Sequence, residues 1–368
     1  MLRKLICHRR CVTVRVFISR FSYMKLNTSI AGLALGAVLL FALSAASVAA
    51  PTPPASPTPK PPTASEPVAK VYDPTAPGAA LPVTPKANIP EQEAIPAAAA
   101  KAFLWEVKSK ANVMYLFGTI HVGKRSFYPL QPQVQDALNA SRRLVVEADI
   151  TNSDGMGNIV SVINYKAPDN LEKHIPPALF GRLKIQLARL QIPLEAVRPM
   201  KPYLIGGFLT IAEFSKLGYD MNLGVDGYLI AKSKDDRRPV LELESQAAQL
   251  RMMDGMSPQL QEAFLENAIR TLESGNAPDQ VTGMVNAWQT GDVALMKEVV
   301  RSANMGMRMT DQLDALLLHS RHDEMLKKIA NYLDGGVPHF VAVGSLHLLG
   351  PKGLVEMLIA RGYEVKQL

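Results

Sequence analysis

Two histidines in this chain follow glycine at the same short interval, in Gly118-Thr119-Ile120-His121 and Gly344-Ser345-Leu346-His347. Each tetrad closes an apolar run that reads as a buried strand, Val113-Met114-Tyr115-Leu116-Phe117 in one case and Phe340-Val341-Ala342-Val343 in the other. Glycine permits a sharp turn and close backbone approach, so the imidazole that follows can face a crevice. Two acidic residues hold equivalent places: Glu147 follows Leu144-Val145-Val146, and Glu244 lies just beyond Pro239-Val240-Leu241. In open α/β sheets ligands bind outside the carboxyl ends of the strands. Four polar groups at such ends therefore mark one candidate site. A third tetrad, Gly336-Val337-Pro338-His339, precedes its strand and lacks this setting, and a short motif carries only the information of its context.

Two neutral imidazoles with one or two carboxylates suit a divalent metal such as Mn, Co or Zn. Such an ion polarises a carbonyl and lowers the pKa of a bound water, and a nearby carboxylate can take the water's proton. The competing reading makes both histidines hydrogen-bonded structural residues. Other candidates read more plainly. Asp226 is expected to cap the helix around Gly227–Lys232. His319 and His322 stand three apart on one helix face and are expected to be a solvated pair. His174 and His339 are expected to be structural. Met252, Met253, Met256, Met305, Met307 and Met309 are expected to serve packing rather than soft-metal binding.

The elements that must position these groups follow from the pattern. Phe103–Val107 and Val113–Phe117 flank the turn residues Ser109-Lys110-Ala111-Asn112, which predicts a hairpin. Helices are expected over Pro132–Ala140, from Pro176 to about Lys234 with breaks at Pro193 and near Gly218, throughout Ser257–Leu333, and over Gly353–Arg361. Ser257-Pro258 places an N-cap before a proline suited to the first helical position. Tyr363–Val365 reads as the last strand. Short apolar strands alternating with helices argue an α/β fold, with a largely parallel or mixed sheet, helices on both faces and a helical insertion in the middle.

Charge and composition exclude other classes. Residues 1–49 carry Arg3, Lys4, Arg9, Arg10, Arg15, Arg20 and Lys25 and no acid. Of 40 basic residues in all, removing those seven leaves 33 against 33 acidic ones, so the remainder is neutral. That gives no electrostatic case for a nucleic-acid partner. Met24-Lys25, the apolar run Ile30–Ala50 and Ser47-Val48-Ala49 form the three parts of an export signal, with cleavage expected near Ala49. Either the true start is Met24, or residues 1–23 extend the basic region. The alternative is an uncleaved membrane anchor, which would be the chain's only membrane association. Residues 50–101 are Pro- and Ala-rich and read as an extended linker, leaving 102–368 as the folded domain. Both cysteines, Cys7 and Cys11, lie in the leader, so the exported part holds no disulfide or thiolate site. A periplasmic or secreted location follows.

The same residues carry a family resemblance. Leu116-Phe117-Gly118-Thr119-Ile120-His121-Val122-Gly123 resembles the opening signature of the TraB/GumN family, itself related to the Tiki proteases. Val341 to Gly350, with Gly353-Leu354 and Gly362-Tyr363, resembles its closing signature. Val145-Val146-Glu147, Gly224-Val225-Asp226, Leu243-Glu244 with Gln249-Leu250, and Trp288 with Gly291-Asp292 resemble motifs between them. The likeness spans the folded part. It implies a metal-dependent hydrolase acting on a peptide or small acyl substrate. The implied ligands are His121, His347 and Glu147, with Glu147 or Glu244 as general base and Arg321 steadying developing negative charge. Where the family shows Arg-Asn, this chain has Arg321-His322. Two other functions remain open on the same fold. One is a ligand-binding protein whose histidines hold haem, as in the distantly similar ChaN-like proteins. The other is a non-catalytic factor in cell-envelope or polysaccharide assembly.

Overall fold

The structure is a computed structural model that describes residues 101–152 and 159–368. The expected leader, its two cysteines and all but the last residue of the linker lie outside the described residues. Six strands form one mixed sheet: β1 (Leu104–Lys108), β2 (Val113–Thr119), β3 (Arg143–Val146), β4 (Val240–Glu242), β5 (His339–Gly344) and β6 (Glu364–Gln367). Their order is β4-β3-β5-β2-β1-β6. β4, β3, β5 and β2 are mutually parallel, whereas β1 runs antiparallel to both β2 and β6.

The expected hairpin joins β1 to β2. Ser109 closes the turn, its hydroxyl accepting the N–H groups of Ala111 and Asn112. β5 is buried along its whole length, as a central parallel strand must be when helices cover both faces. β6 starts at Glu364 rather than Tyr363, because the Tyr363 N–H is spent on the carbonyl of Leu358 at a helix end. Parallel pairing of four neighbours has a direct consequence: the carboxyl ends of β4, β3, β5 and β2 lie along one edge, in that order.

The helical middle builds a second apolar cluster. Helices Pro177–Arg189, Pro202–Lys216 and Pro258–Ser274 contribute Leu183, Tyr203, Leu209, Phe264 and Ile269, all fully buried. Met253 and Met256 lie in the same core, while Met305 is exposed. Ser257 caps its helix as expected, accepting from the Leu260 N–H. The segment Ser257–Leu333 is not continuous, however. Gly275 and Gly291 adopt left-handed φ values of 70° and 64° and end two helices, the conformation glycine tolerates best. Among the described residues no helix is long and apolar enough to cross a membrane.

One ionic cluster ties this helical layer together. Glu266 accepts from Arg182, Arg270 and Arg308 at 2.5–3.1 Å. Burial pushes its carboxyl up, but the three guanidiniums outweigh that and leave the pKa lowered to about 2. Replacing Glu266 by Gln is expected to cost about 1–3 kcal/mol at neutral pH, in the range for bonds to charged groups. A folded-state pKa below the unfolded one gives stability that is complete above the ordinary carboxylate range and is lost as pH falls toward 2. Urea unfolding of both proteins at pH 7 and pH 3 checks this, with the gap between them narrowing at pH 3.

Candidate active site

The carboxyl ends of the four parallel strands deliver the sequence-predicted residues to one place. His121 lies two residues past β2, Glu147 directly follows β3, and Glu244 lies two residues past β4. His347 sits in the short 3-10 turn Ser345–Leu348 that follows β5. Arg321 arrives from the helical layer, at the start of the helix Ser320–Asp334.

Glu147 occupies the centre and is 2% exposed. One carboxylate oxygen accepts from Gln249 Nε2 at 2.8 Å and from Arg321 Nη2. The other accepts the backbone N–H of Gly344 at 3.2 Å and lies 3.5 Å from His347 Nε2. Glu244 accepts from Arg321 Nε at 3.0–3.1 Å, from Arg321 Nη2 at 2.6 Å and from Gln249 Nε2 at 3.2 Å. Arg321 Nη1 donates to the Leu317 carbonyl at 2.8 Å and to His347 Nε2 at 3.1 Å. Every N–H of the guanidinium thus has a partner. The chain immediately before Arg321 makes one π-helical turn, Ala315–His319. Such turns insert a residue into the helical register and often mark functional sites; here it supplies the Leu317 carbonyl that anchors Arg321.

His121 has its own support. Its Nδ1–H donates to Asp226 Oδ2 at 2.7 Å, and the Thr119 hydroxyl donates to Asp226 Oδ1 at the same distance. The carboxylate orients the ring and, when the ring is neutral, makes Nε2 the nitrogen that carries the lone pair. That Nε2 faces Gly344: a Cβ there would lie 3.3 Å from it and 3.5 Å from Glu147 Oε2. The absent side chain of Gly344 therefore leaves the space that His121 and Glu147 share. Gly224 plays a similar part on the other side, since a Cβ on it would meet the His121 carbonyl at 2.5 Å.

Charge is unevenly distributed over these groups. Burial pushes the Glu147 carboxyl up, but Arg321, then His347 and His121, hold it well below its ordinary value. For His121, burial favours the neutral ring, yet the charge and hydrogen bond of Asp226 outweigh it, and the pKa is raised. For His347 burial wins, with Arg321 adding to it against Glu147, and the pKa is lowered. Two carboxylates, of Glu147 and Glu244, share the single guanidinium of Arg321, while the third, of Asp226, is paired with His121.

The structure brings together all five residues singled out from the sequence: His121, Glu147, Glu244, Arg321 and His347. It corrects two other readings. Asp226 is the second residue of the helix Val225–Asp235, whose N-cap is Gly224, and its carboxylate serves His121 and Thr119 rather than the helix end. His322 is not half of a solvated pair; it is 2% exposed and bonded to His347 Nδ1 at 2.8 Å. Helical spacing from His319 suggested a shared face, but that spacing cannot say whether the face looks to water or inward. Gln249, which bridges the two glutamates, stood out only through the family motif. His174 and His339 do bond locally, to Asp169 and to the Val337 carbonyl.

Comparison with known proteins gives the family. The model of the TraB/PrgY/gumN family matches residues 103–367. The chain belongs to that family. Its relatives include the uncharacterized protein YbaP of Escherichia coli, 25% identical over 244 residues, covering 66% of this chain and 87% of YbaP. They also include two proteins named metalloproteases. TIKI1 of Danio rerio is 24% identical over 72% of this chain and 63% of its own length. TIKI2 of Xenopus tropicalis is 21% identical over 72% of this chain and 59% of its own. This chain therefore spans about three-fifths of the Tiki proteins. No solved structure matches it.

Two outcomes test the geometry. In metal-free protein, the ring protons of His121 are expected to titrate above the ordinary histidine value, and Asp226→Asn should bring that midpoint down; proton NMR against pH reads both. Arg321→Leu leaves a buried carboxylate, Glu147, and a partly buried one, Glu244, without their cation. Loss of one partner from a buried pair typically costs about 3–5 kcal/mol, which denaturant unfolding would register.

Proposed function

We propose that this family member is an exported metal-dependent hydrolase that cleaves a peptide or related acyl bond. The observation that carries the proposal is that His121 Nε2 and Glu147 Oε2 both face the bare Cα of Gly344, while His347 Nε2 lies 3.5 Å from that same Glu147 oxygen. Two imidazole nitrogens and one carboxylate oxygen are a donor set suited to Mn, Co or Zn, and the gap at Gly344 is open toward two of the three. The donor types fit, although among the described residues no three such groups already stand at metal-ligating spacing. Arg321 Nη1 rests on the His347 lone pair, so that contact must yield when the lone pair is used. The names of the two Tiki relatives support the same reading.

When bound, the ion would polarise the scissile carbonyl and acidify a water. The remaining roles fall to the chain. His121, oriented by Asp226, and His347 present ring nitrogens. Glu147, held ionised by Arg321, supplies an anionic oxygen rather than a base. Glu244 is nearer solvent, with a side chain 16% exposed against 3% for Glu147, and is placed to take the proton of an attacking water. Arg321 can shift its donors from the carboxylates to the oxyanion of the transition state. Its backing by Leu317 keeps it from swinging free. The export part of the proposal rests on the basic and apolar leader.

Metal content of the purified protein tests the reading. About one equivalent of Mn, Co or Zn, together with cleavage of a peptide library, is expected for the wild type. Both should be lost in His121→Ala and in His347→Ala. A protein that takes up no metal yet shows a Soret band on haem addition belongs instead to the ligand-binding alternative, and neither response points to an assembly role.

A further inference from the structure

A line of three hydrogen bonds passes through the two buried histidines 322 and 347. His322 Nδ1 lies 2.6 Å from the Lys352 carbonyl oxygen. His322 Nε2 lies 2.8 Å from His347 Nδ1. His347 Nε2 lies 3.1 Å from Arg321 Nη1. Both rings are 2% exposed, so water cannot substitute for a missing partner.

The ends of this line decide every proton in it. A carbonyl oxygen can only accept, so His322 Nδ1 carries hydrogen. A guanidinium can only donate, so His347 Nε2 presents a lone pair. Two neutral rings remain, and a single arrangement satisfies both ends: His322 Nε2 accepts from His347 Nδ1–H. The opposite polarity would place hydrogen against hydrogen at Arg321 and lone pair against lone pair at Lys352. The two rings meet edge to face, centroids 5.1 Å apart and planes inclined at 67°, which lets one ring's N–H point at the other's in-plane lone pair.

We infer that His322 is a positioning residue that locks His347 as the Nδ1–H tautomer, through the backbone carbonyl of Lys352, and so leaves the His347 Nε2 lone pair on the Arg321 side of the centre. His121 receives the equivalent service from a carboxylate, Asp226. The two histidines of the centre are thus prepared by different chemistry. Asp226 brings a negative charge to one ring; His322 brings none to the other. Asparagine at this position would likewise offer one acceptor and one donor. The inference deepens the hydrolase reading and rests on it only for the identity of the bound cation, because the tautomers are set without any ion.

Metal-free wild-type protein with ¹⁵N-labelled histidine tests the inference directly. Ring-nitrogen spectra at neutral pH should show both His322 and His347 protonated at Nδ1 alone, with a scalar coupling across the His347 Nδ1–H···Nε2 His322 bond. Protonation at Nε2 in either ring, or on both nitrogens of His322, would overturn it. In His322→Leu the slowly exchanging His347 ring proton should disappear, and in His322→Asn it should return. Zinc titration of the three proteins adds a second readout. Removing such an orienting partner typically weakens metal binding about 10–100-fold, so that loss is expected for His322→Leu, with recovery in His322→Asn. Unchanged affinity in His322→Leu would also overturn the inference. If wild type itself binds no zinc, manganese or cobalt, the hydrolase reading fails, and the ring spectra alone decide the role of His322.

Discussion

A guanidinium buried between two carboxylates holds the centre of this protein together. Arg321, Glu147 and Glu244 would each be unfavourable alone in the interior, since removing an ion from water costs several kcal/mol even after relaxation. Together they are tolerable because every N–H of Arg321 meets an acceptor and Glu147 collects donors from Gln249 and from the Gly344 backbone as well. The cluster also joins two halves of the molecule. Glu147 and Glu244 end strands of the sheet, while Arg321 begins a helix behind a π-turn in the helical layer. Displacing either half leaves charge uncompensated, so the same interaction that costs desolvation fixes the relative position of sheet and helices at the site.

Sheet topology supplies the second constraint. Parallel pairing in the order β4-β3-β5-β2 makes Glu244, Glu147, His347 and His121 neighbours although 226 positions separate the histidines. Glycines then set how closely they approach. At Gly344 a side chain would fill the space between His121 and Glu147, and at Gly118 it would meet the ring of Phe103 at 2.6 Å. The first glycine of each Gly-x-x-His tetrad is therefore there for close packing, more than for a left-handed turn; neither has a positive φ. Trp288 completes the support by donating its ring N–H to the Gly118 carbonyl at 2.8 Å.

The two histidines share a tetrad but not an environment. His121 is backed by a carboxylate that favours charge on the ring; His347 is disfavoured as a cation first by burial and then by the Arg321 guanidinium. Burial lowers the His322 pKa to about 3, with His347 adding to it, so that ring stays neutral across the physiological range. Two groups of the same type, His121 and His347, are thus pushed in opposite directions at one edge of the sheet.

Much of this is legible in the residues alone. Apolar runs of strand length ending in histidine or glutamate identified four of the five central side chains, because burial on both faces leaves an unbroken hydrophobic signature and strand exits are where such sheets bind ligands. Helix starts at Pro132 and at Ser257-Pro258 followed from prolines and a capping residue, whereas the breaks at Gly275 and Gly291 did not. Partnerships did not. That Asp226 serves His121 rather than its own helix, that His322 turns inward to His347, and that Gln249 bridges two glutamates depend on groups brought together from distant parts of the chain. A local pattern fixes which face of a helix a residue shares, but only the packing of that helix against the sheet decides whether the face meets water or another ring. Residue types and spacing thus specified the donors, and tertiary structure alone determined which of them a hydrogen bond prepares for use.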